Sequence, residues 1–79
     1  MTRAAAHWFM DYDGGGFPIE KAVIGACDLS VVFVGGEWQW LVMCHGRAVG
    51  EGAARDYLAA RREAESVTCR FLDVVARAA

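Results

Sequence analysis

The chain has no apolar run approaching the roughly 20 residues that a membrane-spanning helix needs. It also has no Cys-x-x-Cys spacing among its three cysteines, Cys27, Cys44 and Cys69. An odd count without that spacing argues against a disulfide framework and against a four-ligand zinc site, and it points to free thiols in a reducing, cytoplasmic setting. Positive charge is not in excess: eight basic residues against ten acidic give a net charge of -2. A nucleic-acid binder would carry a basic footprint, and an acidic mimic of DNA would carry a larger negative one. Low-complexity tracts are missing too, and with 56% hydrophobic residues the chain reads as globular. A signal-peptide core does not form, because Asp11 and Asp13 interrupt the apolar run that includes His7 to Met10.

Catalytic patterns are equally scarce. No paired carboxylates and no His-Cys-Asp cluster stand out, and Gly14-Gly15-Gly16 lacks the lysine and serine or threonine that would follow it in a phosphate-binding loop. The triglycine reads as a hinge. Cys44 and His45 are neighbours in an extended segment, so they point to opposite faces and one cannot activate the other. The expectation is a non-enzymatic protein with no cofactor and no metal.

What the chain does have is a strong hairpin. Leu29, Val31, Phe33, Trp38, Trp40 and Val42 alternate with more polar residues on either side of Gly35-Gly36. A two-residue turn pairs 33 with 38, 31 with 40 and 29 with 42, which puts all six on one face. His45-Gly46 offers a second such turn, after which Arg47 to Glu51 pairs back and places Val49 opposite Val42. Gly50 and Gly52 weaken that third strand and mark a candidate bulge. Before the hairpin, Pro18 and Glu20 favour a helix, whereas Ala22-Val23-Ile24 closed by Gly25 favours a strand; the strand makes the better meander.

From Ala54 the period turns helical, with Tyr57, Leu58, Arg61, Ala64, Val67, Thr68, Phe71, Leu72, Val75 and Ala78 at three- and four-residue steps. A continuous helix to Ala78 would be about 37 Å long at 1.5 Å per residue. That exceeds what the sheet needs, so either Ser66 to Thr68 breaks it or the Phe71-Leu72-Val75 stripe projects as a seam for a homodimer. Arg55, Arg61 and Arg62 lie within a turn of Asp56, Glu63 and Glu65, the ordinary decoration of a solvated helix face. Charge is uneven along the chain: residues 1–53 carry three basic groups and six acidic ones, 3 − 6 = −3, and residues 54–79 carry five and four, 5 − 4 = +1.

The predicted architecture is therefore α+β: one domain over 1–79, a small antiparallel β-meander of three to four strands over 17–53, and a C-terminal α-helix over 54–78 packed on one face. Residues 1–16 form a peripheral arm, either a helical turn or a short strand. Trp38 and Trp40 could act as stacking platforms for bases, but no lysine or arginine lies among them in strands 28–43, so they read as core.

The strings Gly36-Glu37-Trp38-Gln39-Trp40-Leu41-Val42 and His45 to Ala53, followed by an alanine-rich helix at Ala59-Ala60 and Ala64-Glu65, resemble small uncharacterised proteins of bacteriophages and proteobacteria. The likeness covers residues 22–66 and implies a Trp-x-Trp meander with a C-terminal helix. In size and economy the chain also resembles anti-CRISPR proteins, which implies a non-enzymatic inhibitor that occupies a host defence complex such as a CRISPR effector. Such a binder needs an aromatic anchor with a polar rim, and Trp8, Phe9, Asp11, Tyr12, Asp13, Phe17 and Glu20 supply one. Two other readings compete: a homodimeric structural protein, and a nucleic-acid-binding module. Three strands and a helix resemble the double-stranded RNA-binding domain, but its lysine-rich helix start is replaced here by Ala53-Ala54-Arg55-Asp56.

Overall fold

The computed structural model describes residues 6–78. Five strands, β1 (Trp8–Tyr12), β2 (Pro18–Ile24), β3 (Cys27–Val34), β4 (Glu37–Cys44) and β5 (Arg47–Ala54), precede one helix, α1 (Tyr57–Ala78). The strands form a single antiparallel sheet in sequence order, β1-β2-β3-β4-β5. The α+β meander with a C-terminal helix is as predicted, but it has five strands rather than three to four. The extra strand is the segment expected to be a peripheral arm, which pairs with β2 from Trp8↔Ala22 to Tyr12↔Pro18. Asp13 makes this geometry: one carboxylate oxygen accepts the Gly15 and Phe17 N–H groups at 2.8 Å, and its own N–H donates to the Phe17 carbonyl at 2.9 Å. The triglycine is thus held in a closed turn by an Asx-type cap.

The β3–β4 and β4–β5 turns have both central residues in the left-handed region, the kind that matches strand twist. Gly35 and Gly36 have φ of 60° and 81°, and His45 and Gly46 have φ of 53° and 76°. The predicted β3–β4 register holds throughout, with Leu29↔Val42, Val31↔Trp40 and Phe33↔Trp38. Alternation then gathers Ala22, Leu29, Val31, Trp40 and Val42 on one face, and all five are buried.

The helix seats on that face through Ala60, Ala64 and Thr68, each fully buried and each one turn from the next. Small residues let the helix axis come close. The break expected at Ser66 to Thr68 does not occur, because the Thr68 hydroxyl donates to the Ala64 carbonyl at 2.8 Å and so enters the core already satisfied. The helix also starts later than Ala54. Asp56 caps it, with its carboxylate accepting the Ala59 N–H at 2.8 Å, while Ala53 and Ala54 stay in β5 opposite Gln39 and Trp38. At the far end Phe71 and Leu72 pack back on the core, and Val74 and Val75 remain exposed.

Strand β5 departs from the expected pairing. A register shift at Val42/Met43 makes Val49 the bulged residue and sets Gly50, not Val49, opposite Val42. The reason is steric. A Cβ on Gly50 would lie 2.6 Å from Val67 Cγ1, and a Cβ on Gly52 would lie 2.8 to 2.9 Å from three atoms of the Trp40 indole. Trp40 lies flat across its neighbour strand, and only glycine leaves room for it.

The cysteines also differ from expectation. Cys27 and Cys44 face each other across β3 and β4 and are joined in a disulfide, leaving Cys69 free. Both bonded residues are buried, as small apolar side chains would be, yet they are not free thiols. The premise for a reducing compartment therefore falls, since such bonds persist mainly in oxidising surroundings.

Two stability measurements check this account. Glycine in a strand is ordinarily improved by alanine, but Gly52→Ala should lower the urea-derived unfolding free energy by about 1 to 3 kcal/mol, because the rigid indole cannot give way. Gly14→Ala, with nothing near its added carbon, should be within error of wild type. Reduction of the Cys27–Cys44 bond, which closes a separation of 17 residues, should cost about 3 kcal/mol in the same assay.

Candidate functional site

The helix does not cover the whole apolar face. Its axis lies over β3, β4 and β5, and three long side chains extend its contacts sideways. On one flank the Trp8 indole N–H donates to Glu65 at 2.7 Å, and the Arg61 guanidinium stands 5.0 Å from the Trp8 ring and 5.3 Å from the Tyr57 ring. On the other flank the Trp40 indole N–H donates to Glu63 at 3.1 Å. Arg61 is therefore not the solvated decoration that its charge pattern indicates; it stacks between two aromatic groups. Arg62, which is exposed, fits that expectation.

Beyond Tyr57 the apolar face lies open, at the corner where β1 to β4 run past the start of the helix. The result is a hollow of about 680 Å³, within the range of about 300 to 1,000 Å³ common for ligand sites. Met10, Pro18, Glu20, Val31, Phe33 and Trp38 line it from the sheet, Phe17 from the β1–β2 turn, and Tyr57 from the helix start. Trp38 links two of the aromatic walls, with ring centroids 4.8 Å from Phe33 and 5.3 Å from Tyr57. Phe17 and Phe33 stay 66% and 53% exposed, so ring faces are available to a partner. Among the described residues, the carboxylates of Asp13 and Glu20 are the charged groups in this lining, and no lysine or arginine joins them.

Of the two tryptophans expected in the core, Trp40 is there at 8% exposure, whereas Trp38 is half-buried and borders the hollow. The seven residues predicted to bind a partner are divided by the pleat. Asp13, Phe17 and Glu20 meet at the hollow. Tyr12 shares its face by register and is exposed. Trp8 is turned to its own helix, held by Glu65 and Arg61. Phe9 and Asp11 project from the opposite face, opposite Lys21 and Ile19, where Asp11 pairs with Lys21 at 3.4 Å. The N–H of Tyr12 and then the Lys21 ammonium hold the Asp11 carboxyl below its usual range. Sequence reasoning missed Met10, Phe33, Trp38 and Tyr57 as site residues, although the pairing Phe33↔Trp38 and the helix start at Tyr57 were both in its reach.

A hollow with ring faces, an aliphatic floor and two carboxylates can hold a side chain or small molecule that has an apolar body and a positive end. Among the described residues, the only free cysteine, Cys69, is on α1 and outside the lining. Among the described residues no group of three His, Cys, Asp or Glu side chains is arranged to hold a metal ion, and no helix is long and apolar enough to cross a membrane. Comparison with protein-family models, with curated proteins and with solved structures finds no match.

Tyr57 gives the hollow a titration signature. Burial raises its phenol above the ordinary value, the Arg61 charge opposes this, and the Glu20 charge and hydrogen bond add to it. The folded chain therefore keeps the proton at pH values where the unfolded chain, with a pKa of about 10, has lost it. Stability contributed by the neutral phenol is intact below about pH 10 and falls as pH rises beyond it. Unfolding free energies measured by urea from pH 8 to 11 should decline more steeply for the wild type than for Tyr57→Phe.

Proposed function

We propose that this chain is a small non-enzymatic binding module that engages a protein partner at the hollow beside the helix start. The observation that carries the reading is the exposure of Phe17 and Phe33 around a concave apolar surface, on a face that the helix covers only over β3 to β5. Exposing two phenylalanines costs solvation free energy, on the order of 25 cal/mol per Å² of apolar surface left wet. A partner that inserts one side chain recovers it. Concave aromatic surfaces of this kind serve as anchor pockets, and the acidic rim supplies orientation. Phe17, Asp13 and Glu20 belong to the anchor foreseen from sequence; Phe33, Trp38 and Tyr57 complete it.

The test is a comparison of captured proteins. Immobilised wild type and a Phe17→Ser/Phe33→Ser variant with an unchanged circular dichroism spectrum are exposed to the same lysate. Proteins retained by the wild type should be lost with the variant and kept by Val23→Ser on the outer face. Identical capture by all three contradicts the reading.

A further inference from the structure

We infer that the partner presents an extended, basic segment that adds as a sixth strand to the free edge of β1 and places one arginine or lysine side chain in the hollow. This rests on the hollow being the partner-binding site, and it adds the partner's backbone conformation and the charge of its anchor.

Two independent features support it. The first concerns the sheet edges. Both β1 and β5 lack an outer neighbour among the described residues. Strand β5 carries the Val49 bulge, two glycines and the charged Arg47 and Glu51, devices that keep other strands away. Strand β1, Trp8–Tyr12, has neither bulge nor proline and pairs residue for residue with β2. Its outer backbone groups are a template for strand addition, the mode in which main-chain bonds give affinity and side-chain pockets give specificity.

The second feature is the chemistry of the adjoining hollow. Met10 of β1 and Glu20 of β2 lie in one cross-strand row. A strand added beyond β1 would run about two strand spacings, roughly 10 Å, from β2. A short side chain there stops at Met10, whereas a long one passes over it toward the Glu20 carboxylate in the hollow. The long side chains that also suit Glu20 and Asp13 are lysine and arginine. Their apolar stems fit the floor and their charges fit the rings of Phe17, Phe33 and Trp38. Fixed charge on the chain agrees: among the described residues the lining holds no lysine or arginine, and the Arg61 guanidinium is turned to Trp8 and Tyr57.

A displayed library of random seven-residue peptides, selected on the wild-type protein, tests this. Enriched peptides should share one arginine or lysine flanked by alternating β-branched or aromatic residues. In synthetic copies, replacing that arginine or lysine by citrulline should weaken binding at least tenfold, Glu20→Gln should do the same to the unmodified peptide, and N-methylation of alternate backbone amides should abolish it. The citrulline comparison uses unaltered protein, so it stands whether or not the variant folds. Enriched peptides without a cation, or binding indifferent to citrulline, overturn the inference; if those peptides are still lost on Phe17→Ser/Phe33→Ser, the hollow remains the binding site. Selection that never depends on the hollow overturns both. A stable dimer in sedimentation velocity with its β1 amides protected from exchange would put a second copy on the edge and overturn the inference.

Discussion

The indole of Trp40 lying across Gly52 is the contact on which the rest of the molecule depends. It lets β4 and β5 present a smooth surface, with Val67 of the helix pressed against Gly50 beside it. Ala60, Ala64 and Thr68 can then approach the sheet closely. In a chain of 79 residues, where a core is thin and only about 60 to 65% of the unfolded surface is buried, one large side chain used this way replaces several smaller ones. The Glu63 carboxylate accepts the indole N–H, so the polar end of the ring is not left unpaired at the helix flank.

Placing the helix over β3 to β5 has a consequence at the other side of the sheet. Strands β1 and β2 continue the same face, but the helix makes its main contacts with β3 to β5 and does not cover them fully. Trp8, bound to Glu65 and stacked with Arg61, fills that gap in part. What it does not fill is the corner near the β1–β2 turn, where Phe17, Phe33 and Glu20 remain accessible. Fold and candidate site thus have one origin: a sheet wider than its helix.

The paired apolar positions from Leu29 to Val42 were legible in the sequence because period-two alternation and a two-glycine turn act locally and fix the register. The His45-Gly46 turn was legible for the same reason. Strand β1 was not, because a five-residue aromatic segment after an alanine run carries no period of its own and becomes a strand only through pairing with β2. The bulge at Val49 was half-legible: glycines announced it, but which residue is displaced depends on the Trp40 ring and Val67, contacts made across the fold. The Cys27–Cys44 pair was hidden by the odd cysteine count, although the predicted β3–β4 register extends to place them opposite one another. Of the anchor residues, the aromatic and acidic composition of 8–20 was informative, but the pleat divides those residues between two faces, a division that requires the strand assignment first.

The most direct measurement is hydrogen exchange at the three indole N–H groups. The Trp40 proton, donated to Glu63 at the helix flank, should exchange only on global unfolding, and in Gly52→Ala its protection should fall in step with the loss of stability. The Trp38 proton, beside the open hollow, should exchange faster. Rapid exchange at Trp40 in the wild type, comparable with Trp38, would mean that the ring is not held between strand and helix and would contradict the account.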